Sequence, residues 1–417
     1  MADLSILHIS TADNIGGSGR SAYKLHRGLR EMGIESKMLV HDRITSDTDV
    51  DFIHKRWLKL TDRLVTVITD GLGLQYLYLP SSRRLLQHPW FKKAQIIQLY
   101  NTHGNYFSHT VLPAMSKKKK IVWRLSDMWP MTGHCAYSAS CDKWITGCRN
   151  CPDLSTYPSI RWDSAALLWK RKMSIYRRSK IHIVAPSSWI KGIADESPLF
   201  KGFSKSLISN GVDTDIFRPI SKKWCRSILN IPDDKKIILF MVNSFDNNPR
   251  KGIEFFMDSM KSLWEAGRRD FRVLLVGDGV FKWGCDLPCP VLRRDFVKED
   301  ELLSMVYSAA DLNVHPAVLE NMPNSIIEAM SCGIPSVAFD TGGVKDAIDH
   351  WETGYLARFK DPGDLLRGIQ WLMDLKDKSP LVSEKCRIAV LEKYSLQEQS
   401  TNFLKLYQHV LDQSEKS

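Results

Sequence analysis

The sequence lacks the long apolar stretches that membrane crossings and secretion signals need. No run of 18 apolar residues occurs among the 417 residues, and the opening segment "MADLSILHIS" has no basic region ahead of its apolar residues. We therefore expect a cytoplasmic protein. The nine cysteines of such a protein are expected to be thiols or metal ligands rather than disulfides.

Internal repeats and nucleic-acid recognition motifs are also lacking, so no nucleic-acid partner is expected. Charge is present but uneven: residues 1–200 hold 29 Lys and Arg against 16 Asp and Glu, a net +13, and the remainder carries −2. Basic runs occur at 54–65, 116–120 and 169–180. Such runs usually form a solvated face. Confined to one half, they also fit attraction to a phosphate-bearing acceptor or an anionic membrane, and we predict peripheral contact at the inner face of the cytoplasmic membrane.

Short β-rich segments alternate with helical ones along most of the chain. The first series comprises 4–10, 36–41, 94–100, 120–126 and 180–187, and the second comprises 205–211, 235–242, 271–279, 312–316 and 334–339. This alternation predicts parallel sheets with helices on both faces, and the length favours two domains. We expect an α/β protein with two Rossmann-like, doubly wound domains facing a central cleft. Their predicted limits are 1–190 and 191–395, with a last helix in 396–417 that packs back on the first domain.

The segment "HPAVLENMPNSIIEAMSCGIPSVAF" (315–339) reads as strand end, loop, short helix and buried strand. Pro323 suits the first turn of a helix, and Gly333 suits its C-terminal cap. A helix start of this kind presents N–H groups and a positive dipole end to an anion such as a phosphate. Glu320 and Glu328 flank that start, and carboxylates there fit hydroxyl groups of a ribose or sugar better than phosphate. A buried helix with one acid favoured by the dipole is the alternative interpretation.

Glycines also mark the loop after the first predicted strand. Gly16, Gly17 and Gly19 in "GGSGRSA" let the backbone approach a ligand closely and precede a predicted helix. A plain tight turn would need glycine as well, so both interpretations stay open. Arg20, which follows, is a candidate contact for a phosphate or an acidic acceptor.

Four cysteines lie within 17 residues of a predicted loop, 133–152. Cys135, Cys141, Cys148 and Cys151 have the spacing C-x5-C-x6-C-x2-C, of which only the last pair has zinc-knuckle spacing. Four thiols this close in a cytoplasmic protein favour a closed, structural Zn²⁺ site, with an iron–sulfur cluster or buried thiols as alternatives. A second pair, Cys285 and Cys289, lacks partners and is expected to remain as thiols.

Several motifs together resemble the GT-B glycosyltransferases of the large retaining group called family 4. They are "GGSGRSA" (16–22), "APSSWI" (185–190), "ISNGVDTDIFRP" (208–219), "RKG" (250–252), "LLVGDG" (274–279), the Glu-x7-Glu segment and "DTGGVKDAI" (340–348). The segment "LSDMWPMTGHCAYSASCDKWITGCRNCP" (125–152) resembles a bacterial subset that builds surface polysaccharides. The resemblance implies a GT-B fold and transfer of a hexose from a nucleotide-diphosphate sugar to a saccharide or lipid-linked acceptor, with retention of configuration.

The resemblance also implies roles for individual residues. Glu328 would accept the ribose hydroxyls, and Glu320 would contact the transferred sugar or the acceptor hydroxyl. Arg250 and Lys251 would meet the charge that grows on the leaving diphosphate, with backbone N–H groups near Asn324 and Ser325 as further donors. The Asp-x-Asp strings in 47–52 and 213–215 match a metal motif only superficially, so no catalytic metal is expected.

One departure from the family pattern concerns the residue before Asp127. Relatives usually carry histidine there, and this chain has Ser126, which cannot take a proton at neutral pH. His103 or His134 is a candidate replacement, and His103 follows a predicted strand end. Asp127 keeps its place as a candidate sugar contact.

Three classes of function remain open from the sequence. A hexosyltransferase is the leading one. A nucleotide-dependent epimerase or dehydrogenase would need G-x-G-x-x-G and a ribose-binding acid in the first unit, and "GGSGRSA" does not supply that pattern. A catalytically silent nucleotide-sugar-binding protein of the same fold is the third class, and Ser126 makes it worth testing.

Overall fold

The computed structural model describes residues 4–54, 56–76, 78–245, 249–281, 287–375 and 379–413, which form two compact units. The first unit runs to Gly211 and resumes at Gln399, and the second comprises Val212–Glu398. Each unit contains one sheet of parallel strands. The expected fold class of two Rossmann-like α/β domains is confirmed.

The first sheet has seven strands in the order β3-β2-β1-β4-β5-β6-β7. They are β1 (Ser5–Ala12), β2 (Glu35–Asp42), β3 (Val50–Phe52), β4 (Ile96–Leu99), β5 (Lys120–Arg124), β6 (His182–Ala185) and β7 (Ser204–Leu207). The helices that accompany them are α1 (Gly16–Glu31), α2 (Arg56–Gly71), α3 (Pro80–Arg84), α4 (Pro89–Lys93), α5 (Leu112–Ser116), α6 (Ala165–Tyr176) and α7 (Ser188–Glu196).

The second sheet has six strands in the order β10-β9-β8-β11-β12-β13. They are β8 (Lys236–Ser244), β9 (Phe271–Asp278), β10 (Val291–Arg294), β11 (Leu312–His315), β12 (Ser336–Phe339) and β13 (Gly354–Ala357). Its helices are α8 (Lys222–Ile228), α9 (Ile253–Glu265), α10 (Asp300–Ala309), α11 (Asn324–Ser331), α12 (Val344–Ala347), α13 (Pro362–Met373) and α14 (Ser379–Lys393). The last helix of the chain is α15 (Leu396–Asp412).

Alternate residues of each central strand feed two separate apolar cores, one on each face of the sheet. In β1, Leu7 belongs to one cluster and Ile6 to the other, and in β8 the same holds for Leu239 and Ile238. Burial on both faces is why these strands are almost continuously apolar in sequence. None of the helices in the described part of the chain has the length and apolar composition that spanning a bilayer requires.

The predicted domain limit at residue 190 does not match the structure. The segment 205–211 was predicted to open the second series, but β7 pairs with β6 in the first sheet, with Ser204 opposite His182. The first unit therefore extends to Gly211. An edge strand of four partly exposed residues carries little apolar signal, and no change of composition marks the true limit.

α15 completes the first unit. Phe403 and Tyr407 join the cluster that contains Ile6 and Val122, and the Tyr407 hydroxyl donates to Gln98 Oε1 at 2.9 Å. Gln98 and Tyr407 are both buried, so this hydrogen bond satisfies polar atoms that the fold removes from water.

Candidate functional site

Strand order locates one candidate site in each unit. In open parallel sheets, ligands bind outside the carboxyl ends of the strands where the order reverses, between strands whose connections run to opposite sides. In the second sheet this point lies between β8 and β11, and in the first it lies between β1 and β4. The connections after these strands hold His103, Arg250, Lys251 and Glu320.

Two glycines let the loops of the second unit meet. Gly252, at φ +66°, has no room for a side chain because a Cβ there would lie 1.8 Å from the Pro316 carbonyl oxygen. Gly342, at φ +54°, would place a Cβ 2.0 Å from the carbonyl oxygen of Glu320. Val318 N–H donates to the Arg250 carbonyl at 2.9 Å, which holds the loop after β11 against the loop after β8. The position of Glu320 is therefore set by backbone contacts on both sides.

Three charged or titratable side chains meet at this junction. Lys251 Nζ donates to Glu320 Oε2 at 2.8 Å, and His315 Nε2 lies 4.0 Å from the same oxygen. Burial opposes ionisation of Glu320, but the charge and hydrogen bond of Lys251, with the charge of Arg250, outweigh it and lower the pKa of the carboxyl. The junction therefore holds a carboxylate paired with an ammonium group.

His315, at the end of β11, was missed in the sequence. Its Nδ1 lies 3.2 Å from Ser325 Oγ, in the first turn of α11, and burial lowers the pKa of His315 to about 4. Its Nε2 is buried and has no hydrogen-bond partner among the described residues. The sequence does place this histidine at the carboxyl end of a predicted buried strand, in the same segment as Glu320 and Glu328, which is where ligands of parallel sheets bind.

Glu328 contacts a different helix. It lies on α11 one turn beyond Asn324, is 5% exposed, and accepts a hydrogen bond from the Tyr307 hydroxyl at 3.3 Å. The helix predicted between Pro323 and Gly333 is observed as α11, with Pro323 as its N-cap. The structure thus brings Lys251, Glu320 and Ser325 to one junction, near Arg250 and Asn324, and places Glu328 beside Tyr307.

The junction of the first unit contains an imidazole–carboxylate pair. His103 Nε2 and Asp127 Oδ2 are 2.8 Å apart, and Asp127 Oδ1 accepts the N–H of Trp129 at 2.9 Å. The rings of Trp129 and Tyr157 lie 5.6 and 5.5 Å from the His103 ring. His103 Nδ1 is buried, with no hydrogen-bond partner in the ranges the structure describes. A carboxylate on Nε2 orients an imidazole so that Nδ1 can contact a ligand.

The other predicted residues of the first unit fall around this pair. Ser126 Oγ lies 2.8 Å from Ser18 Oγ in the first turns of α1. Gly16 and Gly17 are exposed at the start of α1, Gly16 at φ +62°, and a Cβ on either would meet nothing within 4 Å in the described structure. Gly19 is constrained, since its Cβ would lie 2.9 Å from the Ala12 carbonyl oxygen. The glycines thus serve the turn, and Gly16 and Gly17 also leave space in front of it.

One lysine of the basic run 169–180 is not on a solvated face. Lys172 is buried and donates to the carbonyl oxygens of Trp129, Thr132 and Gly133 at 2.6, 3.0 and 3.3 Å. Burial lowers the pKa of Lys172 to about 7. This side chain fixes the loop that follows Asp127, a role that a count of charges did not reveal.

The cysteine-rich loop forms a separate cluster. Cys135, Cys141, Cys148 and Cys151 line one cavity of about 20 Å³ together with His134. Gly133 N–H donates to Cys148 Sγ at 3.1 Å, and His134 Nε2 lies 3.3 Å from Cys151 Sγ. Burial raises the pKa of Cys135 and of Cys148 to about 11.

This cluster answers one of the two questions that the sequence left about this loop. His134 belongs to the cysteine cluster, so it is His103 that accompanies Asp127. Across the described ranges, the side chains as placed form no group of three or more His, Cys, Asp or Glu arranged to hold a metal ion. Zinc therefore remains a prediction. Cys289 is buried, and Cys285 lies outside the described residues.

Comparison with known sequences finds a family match within the second unit and relatives that match part of the chain. Residues 235–375 match the family model of glycosyl transferases group 1. Over 183 residues the chain is 31% identical to D-inositol 3-phosphate glycosyltransferase 2 of Catenulispora acidiphila, a match that covers 40% of this chain and 42% of that protein. Over 97 residues it is 34% identical to the putative colanic acid biosynthesis glycosyl transferase WcaC of Escherichia coli, covering 22% of this chain and 23% of that protein. The chain thus spans less than half the length of these relatives.

Comparison with solved structures covers nearly the whole chain. Sucrose-phosphate synthase from Thermosynechococcus elongatus aligns with a TM-score of 0.66 at 16% identity, over 98% of this chain and 99% of that one. The Anabaena protein HepE, in complex with UDP and glucose, aligns with a TM-score of 0.66 at 14% identity, over 97% of this chain and 100% of that one. These likenesses show that the two units make up a GT-B fold.

Proposed function

We propose that the protein is a retaining glycosyltransferase that moves a hexose from a nucleotide-diphosphate sugar to a saccharide or lipid-linked saccharide acceptor. The match to group 1 glycosyl transferases supports transfer from a nucleotide sugar. Similarity to WcaC, which is named for colanic acid synthesis, supports a role in a surface polysaccharide. Similarity to an inositol phosphate glycosyltransferase makes a small phosphorylated acceptor the main alternative within the same class.

The observation that carries this proposal is the junction of Lys251, Glu320 and Ser325 at the carboxyl ends of β8 and β11. A diphosphate needs cations and N–H donors, and a sugar needs hydroxyl acceptors. Lys251 lies 2.8 Å from Glu320, so both kinds of group are adjacent. The start of α11 adds backbone N–H groups and the positive end of its dipole.

In the proposed reaction, the bond from the anomeric carbon to the leaving phosphate oxygen breaks. A bond from the acceptor hydroxyl oxygen to the same carbon forms, and the hydroxyl proton leaves with the departing diphosphate. Negative charge grows on the diphosphate while the sugar becomes oxocarbenium-like. Arg250 and Lys251 would stabilise that charge, Arg250 as a planar fork and Lys251 as a compact ammonium. In this scheme the two side chains perform the task for which other transferases use a metal.

The Lys251–Glu320 pair implies an exchange of partners. When a diphosphate binds, Lys251 would turn its ammonium group to the phosphate, and Glu320 would then be left to accept a hydroxyl of the sugar or acceptor. The cost of separating the pair is offset by a charge-assisted hydrogen bond on each side. In the first unit, His103 and Asp127 would contact the sugar or acceptor hydroxyl, and Gly16 and Gly17 would allow the ligand to approach the backbone.

The decisive experiment is calorimetric binding of UDP, GDP, ADP and dTDP, with UDP first because the HepE structure contains it. We expect one nucleotide to bind, and Glu328→Gln to weaken it by about tenfold through loss of a charge-assisted bond to the ribose. Tyr307→Phe is the matched control, since it removes the hydroxyl that donates to Glu328 and leaves the carboxylate in place.

Each outcome bears on a different part of the proposal. Equal, small losses in both variants would make Glu328 a structural partner of Tyr307. Binding of a nucleotide sugar without transfer or hydrolysis would favour the catalytically silent binding protein. If none of the four nucleotides binds, the transferase proposal fails.

We also propose that the cysteine-rich loop binds a structural zinc ion. Four cysteines lining one cavity supply a complete tetrahedral set and leave no position for water. The thiols must turn inward and lose their protons on binding, because their present arrangement in the described chain does not form a metal site. Mass spectrometry of the purified protein should find one zinc per chain, lost in Cys148→Ser and kept in Cys225→Ser, which alters a buried thiol of the second unit. A zinc-free protein whose melting is unaffected by chelator would refute this.

A further inference from the structure

An apolar stripe lies on the outer side of α2. Leu60, Leu64, Val67 and Ile68 are between 64% and 68% exposed, and their spacing places them on one side of the helix. Leu72, 61% exposed, directly follows the end of α2 and extends the stripe. Single exposed apolar residues need no explanation, but a contiguous stripe marks a surface that contacts something apolar.

The opposite side of α2 is attached to the first unit, so the direction of the stripe is set by packing. Asp62 is 5% exposed and accepts the N–H of Ser81, the second residue of α3, at 3.2 Å. His54 Nε2 lies 3.1 Å from Ser81 Oγ and 4.0 Å from Asp62 Oδ2. Rotating α2 to bury the stripe would expose this polar contact and break it.

Two aromatic side chains lie close to the C-terminal end of the stripe. A Cβ on Gly73 would be 3.2 Å from the carbonyl oxygen of Trp162, and Gln75 Nε2 donates to the Pro158 carbonyl at 2.9 Å. These ties place Trp162 and Tyr157 next to the chain that leaves α2, and both are more than 60% exposed. Tryptophan and tyrosine are the side chains that settle at the boundary between lipid and water.

Cations border the stripe on several elements. Arg63 is exposed on α2 itself, and Arg161 is exposed immediately before Trp162. Arg83, exposed on α3, stacks over the Tyr78 ring at 5.9 Å. The stripe belongs to the part of the chain, residues 1–200, that carries a net charge of +13. An apolar stripe with flanking cations is complementary to a binding surface whose interior is apolar and whose outer edge is negatively charged.

We propose that Leu60, Leu64, Val67, Ile68, Leu72 and Trp162, here called the α2 patch, dock on an anionic membrane leaflet. α2 would lie in the plane of the interface with the stripe among the acyl chains and Arg63 and Arg161 on the headgroup phosphates. The convex side of a helix offers no groove for a peptide, and its flanking charges match lipid headgroups, so the bilayer is the favoured occupant. This inference rests on the proposed function and extends it, because a lipid-linked acceptor would be presented to the protein at the membrane surface.

The test is co-sedimentation of the full chain with phosphatidylcholine vesicles and with equal mixtures of phosphatidylcholine and phosphatidylglycerol. We expect binding to the mixed vesicles, and the double variant Leu64→Ser and Ile68→Ser to weaken it about tenfold because less apolar area enters the lipid. Leu381→Ser with Leu391→Ser is the matched control, since these residues are similarly exposed on α14 and should leave binding unchanged. Arg63→Gln with Arg161→Gln should remove most of the preference for anionic lipid.

Nucleotide binding by the same variants separates this inference from the proposed function. Loss of vesicle binding with nucleotide affinity intact supports the α2 patch as a membrane surface. If the Leu64 and Ile68 double variant sediments with vesicles as the wild type does and still binds nucleotide, the assignment of the α2 patch to the membrane is wrong. The proposed function is unaffected by that result. A wild-type dimer that the double variant dissociates in analytical ultracentrifugation would assign the patch to a second copy and overturn the membrane assignment.

Discussion

The two loop junctions occupy equivalent places in their sheets but hold different chemistry. In the second unit, Lys251 faces Glu320 at 2.8 Å, with His315 at the end of the neighbouring strand. In the first unit, His103 and Asp127 form a 2.8 Å pair enclosed by aromatic rings. Parallel-sheet topology therefore sets where each candidate site lies, and the side chains set which chemical groups each site suits. Paired cation and carboxylate suit a sugar diphosphate, while an oriented imidazole suits a hydroxyl.

The largest effect should come from breaking the backbone contact of the second junction. Gly252→Ala introduces a Cβ 1.8 Å from the Pro316 carbonyl oxygen, which forces the loops apart and should cost about 4 kcal/mol of the free energy of unfolding. Gly267→Ala is the control, because Gly267 has φ +83° with nothing within 4 Å, and about 1 kcal/mol is expected there. Urea unfolding compares the two. Equal losses of unfolding free energy in the two variants would mean that the positive φ of Gly252, and not its contact with Pro316, explains the need for glycine there.

The next largest effect should come from the first junction, and it should lower the transfer rate without changing nucleotide affinity. Asp127→Asn removes the carboxylate that orients His103, and we expect the transfer rate to fall between about a hundredfold and a thousandfold. Nucleotide affinity should stay at the wild-type value, since the proposed function assigns the diphosphate to Arg250, Lys251 and the start of α11 in the second unit. Steady-state kinetics measure the transfer rate and calorimetry measures the nucleotide affinity, both on one preparation. A matching loss of nucleotide affinity would contradict the division of roles between the junctions.

A pH dependence distinguishes the buried histidine of the second junction. Burial lowers the pKa of His315 from 6.5 to about 4, so the unfolded chain binds a proton in this range that the folded chain does not. The contribution is constant above pH 6.5, and stability falls as the pH drops from 6.5 toward 4. At pH 5 the loss from this group is about 2 kcal/mol. The difference in urea midpoint between wild type and His315→Gln should therefore change between pH 7.5 and pH 5, and a constant difference would rule out the assignment.

The smallest effect should come from the charge at the second junction. Lys251→Met leaves Glu320 without its ammonium partner and should weaken nucleotide binding about tenfold, whereas Lys251→Arg should retain most of the affinity. The same variant should raise the pKa of the Glu320 carboxyl, because the lysine charge opposes the effect of burial. Wild-type affinity in Lys251→Met would show that the lysine serves only to hold Glu320.

Local rules accounted for the elements around the second site. In the sequence, Pro323 and Gly333 predicted where α11 begins and ends. The structure has Pro323 as the N-cap of α11, and Gly333 follows the helix at φ +77°. Runs of apolar residues located the central strands because both faces of each sheet are buried. The short strands β3 and β10 were missed because charged residues interrupt them, and β13 was missed because it begins with glycine and has few apolar positions.

The chemistry that depends on distant contacts could not be read in the same way. His103 and Asp127 were both candidates, but their pairing follows from β4 and β5 lying side by side, which a separation of 24 positions in sequence does not reveal. Lys172 looked like part of a charged surface because burial of a lysine depends on three carbonyl groups from another loop. Whether Glu328 serves Tyr307 or a ribose is likewise a question of contacts between helices.

The position of α15 has a consequence for the order of events during protein synthesis. Phe403 and Tyr407 close one face of the first sheet, yet they are made after the whole of the second unit. While the ribosome is still making the second unit, Ile6, Val122 and their neighbours are already outside the exit tunnel without their final cover. That apolar face stays uncovered while the second unit is made, and the first unit can complete its core only after α15 has followed the second unit out of the ribosome.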